Sequence, residues 1–425
     1  MPTALIRMVT LARMRRTVSL IALSLVALVP LLGPASSAGA GEAGPEAALT
    51  GVTQLEAGED HTCAVLTSQE ARCWGYGGWR QLGNGLTSSP GIPNTVLNAT
   101  GSGPLTGITR ISAGSSFTCA RLSNGQARCW GYNQDGELGV GDQAPRTFPA
   151  AVRGVGGTGR LTDVAEVSSG WNHACARVGG GQVRCWGANN KGQIGDDSIS
   201  LRSAPTVVLA PTGSGPLTGA TQIATGIYTS CARLNTGQAV CWGNNANYQL
   251  GDGTNSQRNR PVFVRNPANT GPLTGVRRIV VGDFFACALL TSGQARCWGN
   301  VPSGSSTLPA GVLTAGGGPL TGIASLSAGY GHVCFRLSTG RVRCLGKNDV
   351  GQLGDLTTTF RNRPVGMVNT AGTGPVTGVT AVAAGQGHTC ALLPTAEVMC
   401  TGANDLGQLG AGPGPSTARP IGVRR

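Results

Sequence analysis

Gly58-Glu59-Asp60-His61-Thr62-Cys63-Ala64-Val65-Leu66, then Ala71-Arg72-Cys73-Trp74-Gly75, then Gln81-Leu82-Gly83, is the stretch whose reading decides the fold. Two short apolar runs face each other across polar turn residues near Ser68, the pattern of a β-hairpin. Folding the hairpin about Ser68 sets Cys63 directly opposite Cys73. Cα atoms of a non-hydrogen-bonded antiparallel pair lie about 4.5 Å apart, which is within reach of a disulfide.

The same phrase returns along the chain. Pairs ten residues apart are Cys63-Cys73, Cys119-Cys129, Cys175-Cys185, Cys231-Cys241, Cys287-Cys297, Cys334-Cys344 and Cys390-Cys400, and they use all 14 cysteines. A glycine stands five residues before each first cysteine: Gly58, Gly114, Gly170, Gly226, Gly282, Gly329 and Gly385. Tryptophan follows the second cysteine in five repeats, with Leu345 and Thr401 in the other two. A Gln-Leu-Gly-like turn follows in six and is missing from the fifth, which is nine residues shorter. Two thiols per repeat, with no second pair beside them, make a poor zinc site. Seven disulfides in an oxidising compartment are therefore expected, and no metal.

Each repeat reads as four strands. In the first these are Val52–Ala57, about His61–Leu66, about Ala71–Gly75 and a Pro-x-x-Val stretch, Pro93–Leu97. Later counterparts of the fourth are Pro261–Val264, Pro364–Val368 and Pro420–Val423. One such unit is too small to bury a core, so neighbours must stack. The fold class is all-β: a seven-bladed β-propeller of four-stranded blades with intra-blade disulfides. A β-solenoid is the weaker alternative, since its repeats carry fewer, more regular strands. The expected domains are a signal peptide over 1–40, a short linker over 41–50 and a propeller over 51–425. Its repeats span about 51–106, 107–162, 163–218, 219–274, 275–321, 322–377 and 378–425. Pro420–Val423 is expected in the same blade as residues 52–75, or directly beside it, clasping the ring.

Residues 1–40 hold Arg7, Arg13, Arg15 and Arg16 and no acid, then an apolar run Val18–Leu32 and Ala38-Gly39-Ala40. This order predicts an exported chain, secreted or held at the cell surface. The run is shorter than the roughly 20 residues a membrane span needs, so no span is expected. Removing the four arginines takes the net charge from +13 to +9. No run of Lys or Arg suggests nucleic acid. Glycine is 69 of 425 residues and charged residues only 12%, which excludes a Glu/Lys-rich helical protein.

The phrase His61 to Leu66, Arg72-Cys73-Trp74-Gly75, Gln81-Leu82-Gly83, and the tail Gly346-Lys347-Asn348-Asp349-Val350-Gly351-Gln352-Leu353-Gly354, resemble the RCC1 (regulator of chromosome condensation) repeat, in its secreted bacterial form. The resemblance covers about residues 50–425 and implies the propeller fold. The cysteine pairs depart from the eukaryotic pattern. Family functions range from nuclear nucleotide exchange to secreted propellers that inhibit β-lactamases, so the resemblance leaves function open.

Catalytic motifs are absent. His61, His173, His332 and His388 share a slot that holds Phe117, Thr229 and Phe285 in other repeats, which reads as packing. Gly154-Val155-Gly156-Gly157-Thr158-Gly159 matches a dinucleotide fingerprint but lies in a joint with no helix after it. Asp142, Asp196, Asp252 and Asp355 follow the Gln-Leu-Gly-like turns and read as turn caps rather than calcium ligands. No cofactor and no enzymatic activity are expected.

The sharper signal is the residues four and three before each first cysteine, which vary between repeats: Glu59-Asp60, Ser115-Ser116, Trp171-Asn172, Ile227-Tyr228, Asp283-Phe284, Tyr330-Gly331 and Gln386-Gly387. Trp171, Tyr228, Phe284 and Tyr330 fall in four consecutive repeats and are expected at equivalent places on one rim. Glu59, Asp60 and Asp283 share that rim, and strand parity adds Tyr76 and Trp79. Aromatic anchors of this kind suit a protein interface; ordinary rim packing is the alternative. The reading is a non-catalytic, monomeric module that binds another protein. The rivals are an inhibitor of an exported enzyme such as a β-lactamase, and a propeller that binds or cleaves glycans.

Overall fold

The computed structural model describes residues 47–425. The expected signal peptide lies outside them. Among the described residues no helix is long and apolar enough to cross a membrane.

The repeats form seven four-stranded antiparallel sheets, each built from consecutive strands of one repeat. In the first blade these are Val52–Ala57, His61–Leu66, Ala71–Gly75 and Asn94–Thr95. First strands line a central channel, and fourth strands form the outer edges. The fourth strands begin three residues before the expected proline, at Arg258–Phe263, Arg361–Gly366 and Thr417–Gly422. An edge strand tolerates proline because its outward side needs no N–H donor.

All seven cysteine pairs stand directly opposite each other, as in Cys63↔Cys73, and all are disulfide-bonded with Cα atoms 4.0–4.1 Å apart. Hydrophobic cores lie between blades rather than within them. One joins Val52, Leu55 and Trp74 of the first blade to Cys390, Val398 and Leu409 of the seventh.

A repeated polar joint locks each blade to the next. The Thr118 hydroxyl donates to the Gln81 carbonyl at 2.8 Å. It therefore accepts from the Nε2–H of His61, also at 2.8 Å. The Trp130 indole donates to the same Gln81 carbonyl at 2.9 Å. His388 meets Thr62, His173 meets Ser230 and His332 meets Thr389 in the same way. Burial drives His61, His173 and His332 down to about 3 and His388 to about 4, so all four are neutral packing groups. This joint explains one exception in the sequence. Each Trp donates to the Gln-Leu-Gly-like turn of the preceding repeat, as Trp298 does to Gln249. The fifth repeat has no such turn, and the sixth accordingly carries Leu345 in the Trp slot.

Thr417–Gly422 lies in the seventh blade, beside the first and not within it. Six blade junctions carry a single antiparallel bridge such as Leu97↔Pro104. At the seventh junction the bridge is Ala48↔Arg424, made between residues distant in sequence. The Leu49 amide donates to Val423 at 3.1 Å, and the Arg425 amide to Ala47 at 2.7 Å.

Candidate functional site

The loops between first and second strands and those between third and fourth strands open on one end of the ring, because the strands are antiparallel. Backbone bonds tie the two sets together: the Tyr76 amide donates to Asp60 at 2.8 Å and Lys347 to Gly331 at 2.8 Å. The seven glycines before the first cysteines form a ring around this end of the channel. A methyl carbon on Gly114 would lie 2.7 Å from the Gly170 carbonyl oxygen, and one on Gly385 2.5 Å from that of Gly58. No side chain fits there, which accounts for glycine in every repeat.

The residue after each glycine points into the mouth. Glu59, Ser115, Trp171, Ile227, Asp283, Tyr330 and Gln386 line an open cavity of about 100 Å³. Trp171 and Tyr330 reach across it, ring centroids 5.6 Å apart at 52°. Glu59 is held by the Ser115 hydroxyl and the Gln386 amide. Asp283 is 6% exposed, and its Oδ2 has no hydrogen-bond partner. Burial, and then the nearby Glu59, push Asp283 up to about 9. Burial followed by Asp283 and Glu59 also raises the Tyr330 phenol.

The expected set of four equivalent aromatics therefore divides in two. Trp171 and Tyr330 stand four residues before their cysteines and fill the mouth; Tyr228 and Phe284 stand three before and lie outside its lining. Tyr228 is half-buried, and Phe284 is exposed on the surface. Asp60 also lies outside the lining, within 3.4 Å of the Gln408 amide, and burial and Glu59 raise it to about 6. Trp79 packs edge-on against Tyr132 of the next blade at 5.2 Å. Tyr76 is half-buried beside it.

Sequence reading named Trp79 and Phe284 but missed the rest of the exposed apolar set, and it missed a second feature. Eight large apolar residues of the described chain are exposed: Trp79, Leu86, Val155, Ile199, Leu201, Phe284, Leu356 and Phe360. All except Val155 sit in loops of the mouth end. Leu86, Ile199, Leu201, Leu356 and Phe360 lie in loops of unequal sequence, where no period marks them. The second is the far end of the channel, lined by Arg110 and Arg278 with Gln54, Glu166 and Gln222. Each of these stands nine residues before a first cysteine, so aligning the repeats at that offset would have found them. Asp196, Asp252 and Asp355 are accounted for: they bind Arg202, Arg258 and Arg361 at 2.6–2.9 Å and fasten the mouth loops to the outer strands. No cluster of three metal-ligating side chains occurs among the described residues.

Comparisons with known proteins agree with this architecture. Models described as the regulator of chromosome condensation (RCC1) repeat match residues 52–78, 108–137, 164–193, 220–249, 323–352 and 379–408, and residues 124–177, 236–289 and 339–392. The ultraviolet-B receptor UVR8 of Arabidopsis thaliana is 29% identical over 60% of this chain and 54% of its own length. The probable E3 ubiquitin-protein ligase HERC4 of Rattus norvegicus is 28% identical over 61% of this chain and 24% of its own. The chain thus spans about half or less of these curated relatives. Prp20p from Saccharomyces cerevisiae superimposes with a TM-score of 0.66 at 20% identity, covering 89% of this chain and 88% of that one. Human WBSCR16 gives 0.64 at 20% identity, covering 80% and 87%. On its repeats and its blades, this chain belongs to the RCC1 repeat family.

Proposed function

We propose that this is an exported, non-catalytic RCC1-like propeller that binds another protein through its mouth face. The observation that carries the reading is the concentration of exposed apolar side chains there: among the described residues, Trp79, Leu86, Ile199, Leu201, Phe284, Leu356 and Phe360 against Val155 alone at the other end. Apolar and aromatic groups that stay in water on one face are characteristic of interaction surfaces. Asp–Arg pairs fasten the loops that carry Ile199, Leu201, Leu356 and Phe360 to the outer strands, so less ordering cost is left for binding there. Seven disulfides suit an oxidising compartment, which supports export. Protein contact is also a use known from a structural relative: yeast RCC1 (Prp20) has been solved bound to Kap60.

The test is capture of a protein from growth medium by the immobilised, oxidised chain. A Trp79→Ser/Phe284→Ser/Phe360→Ser variant should lose the captured protein, and Val155→Ser should keep it. Equal capture by both variants would contradict the reading. Capture of polysaccharide would favour glycan binding.

A further inference from the structure

Two observations at the channel mouth point to a ligand of definite chemistry. The first is an unpartnered acid. Asp283 is 6% exposed, it lines the mouth cavity, and its Oδ2 has no hydrogen-bond partner. A buried polar atom without a partner is costly, and native structures rarely leave one so. Lys347, the basic group whose charge acts on Asp283, is paired instead with Asp349 at 3.3 Å. The second is aromatic. Trp171 and Tyr330 meet over the same cavity, and their rings offer the π faces on which cations rest within about 6 Å of a ring centroid. Glu59 adds a second carboxylate, already oriented by Gln386 and Ser115.

We propose that this mouth binds an organic cation, the ammonium or guanidinium head of a Lys or Arg side chain presented by the bound protein. The proposal rests on the binding-face reading and gives its partner a chemistry. The cavity of about 100 Å³ holds one such head. The carboxylate oxygen of Asp283 accepts its N–H, and the Trp171–Tyr330 pair covers its flat or methylene surface.

Proton balance gives the site a signature. The groups acting on Asp283 are its burial and Glu59, which hold it protonated, and Lys347, which opposes them. Tyr330, whose phenol is raised, stays neutral beside it. With its carboxyl raised to about 9, the empty mouth carries the Asp283 proton at neutral pH. The cation favours the ionised form, so binding releases that proton. Affinity then rises by up to about tenfold per pH unit below the carboxyl pKa.

Isothermal titration of the oxidised protein with methylguanidinium chloride or methylammonium chloride, at pH 7 and pH 9, tests this. The expected result is one saturable site, at least tenfold tighter at pH 9, with proton release on binding and no binding of acetate. Asp283→Asn should weaken it at least tenfold at pH 9 while the melting temperature holds. Tyr330→Leu, which removes one ring but leaves the acid, should weaken it severalfold and serves if Asp283→Asn does not fold. No saturable binding of either cation at pH 9, or binding unchanged in the variants, overturns the proposal. Protein capture by the mouth face in that same sample would leave the binding-face reading intact. Cation binding without any protein capture would uphold the site and remove that reading.

Discussion

His61 Nε2 lies 2.8 Å from the Thr118 hydroxyl of the neighbouring blade, and that hydroxyl donates its own hydrogen bond to the Gln81 carbonyl. The direction of the hydroxyl fixes the tautomer: Nε2 carries the hydrogen and Nδ1 is bare. Nδ1 has no partner in His61, His173, His332 or His388. A buried ring with one unsatisfied nitrogen strongly disfavours a second proton.

Acid should therefore loosen the ring. His61 is lowered to about 3 in the folded state by burial and then by His388, whereas an unfolded histidine titrates near 6.5. Between those values the unfolded chain binds the extra proton. Stability is full above about pH 6.5 and is lost as pH falls, by about 1.4 kcal/mol per pH unit for each such histidine. Chemical denaturation at pH 7, 6 and 5 checks this. His332→Phe should flatten the slope, since Phe117 and Phe285 already occupy that slot in other blades. An unchanged slope would mean His332 is not buried neutral.

The glycine ring predicts a steric cost with no change of chemistry. Gly114→Ala would bring a methyl carbon 2.7 Å from the Gly170 carbonyl oxygen. Overpacking of this kind costs about 1–3 kcal/mol. Gly156→Ala, with nothing within 4 Å of the added carbon, has only a left-handed backbone to oppose it and should cost less, about 1 kcal/mol. Denaturant midpoints of the two variants give the comparison, and equal losses would contradict it.

The ring closes on Leu49, which is 3% exposed among Val52, Trp74 and Val423. Leu49→Ala should cost about 2–4 kcal/mol, as large-to-small core changes do. Thermal melts of the oxidised protein test it. A loss below about 0.5 kcal/mol would show that this junction does not hold the ring.

The fold was legible because its signals repeat. The Cys63–Cys73 spacing fixes one hairpin register, and six further copies at equal offset leave little choice but a ring. The start of the fourth strand was not legible, because Arg258 gives no strand signal of its own; its pairing with Asp252 puts it there. Site residues were legible only in part. Variation after Gly58, Gly170 and Gly329 marked Trp171 and Tyr330. It could not tell inward Asp283 from outward Phe284, since a one-residue step reverses the side chain's direction. The unpartnered Oδ2 of Asp283 is a property of packing between blades and has no counterpart in local sequence. Leu86, Ile199 and Phe360 sit in loops where exposure is set by the tertiary fold alone.

Hydroxyl-radical footprinting of the chain with and without its captured partner locates the surface on which a protein partner sits. With the partner on the mouth face, Trp79, Phe284, Leu356 and Phe360 should be protected, with Val155 in the joint at the opposite end as reactive as before. Protection of Val155 with the mouth loops unprotected would contradict that placement.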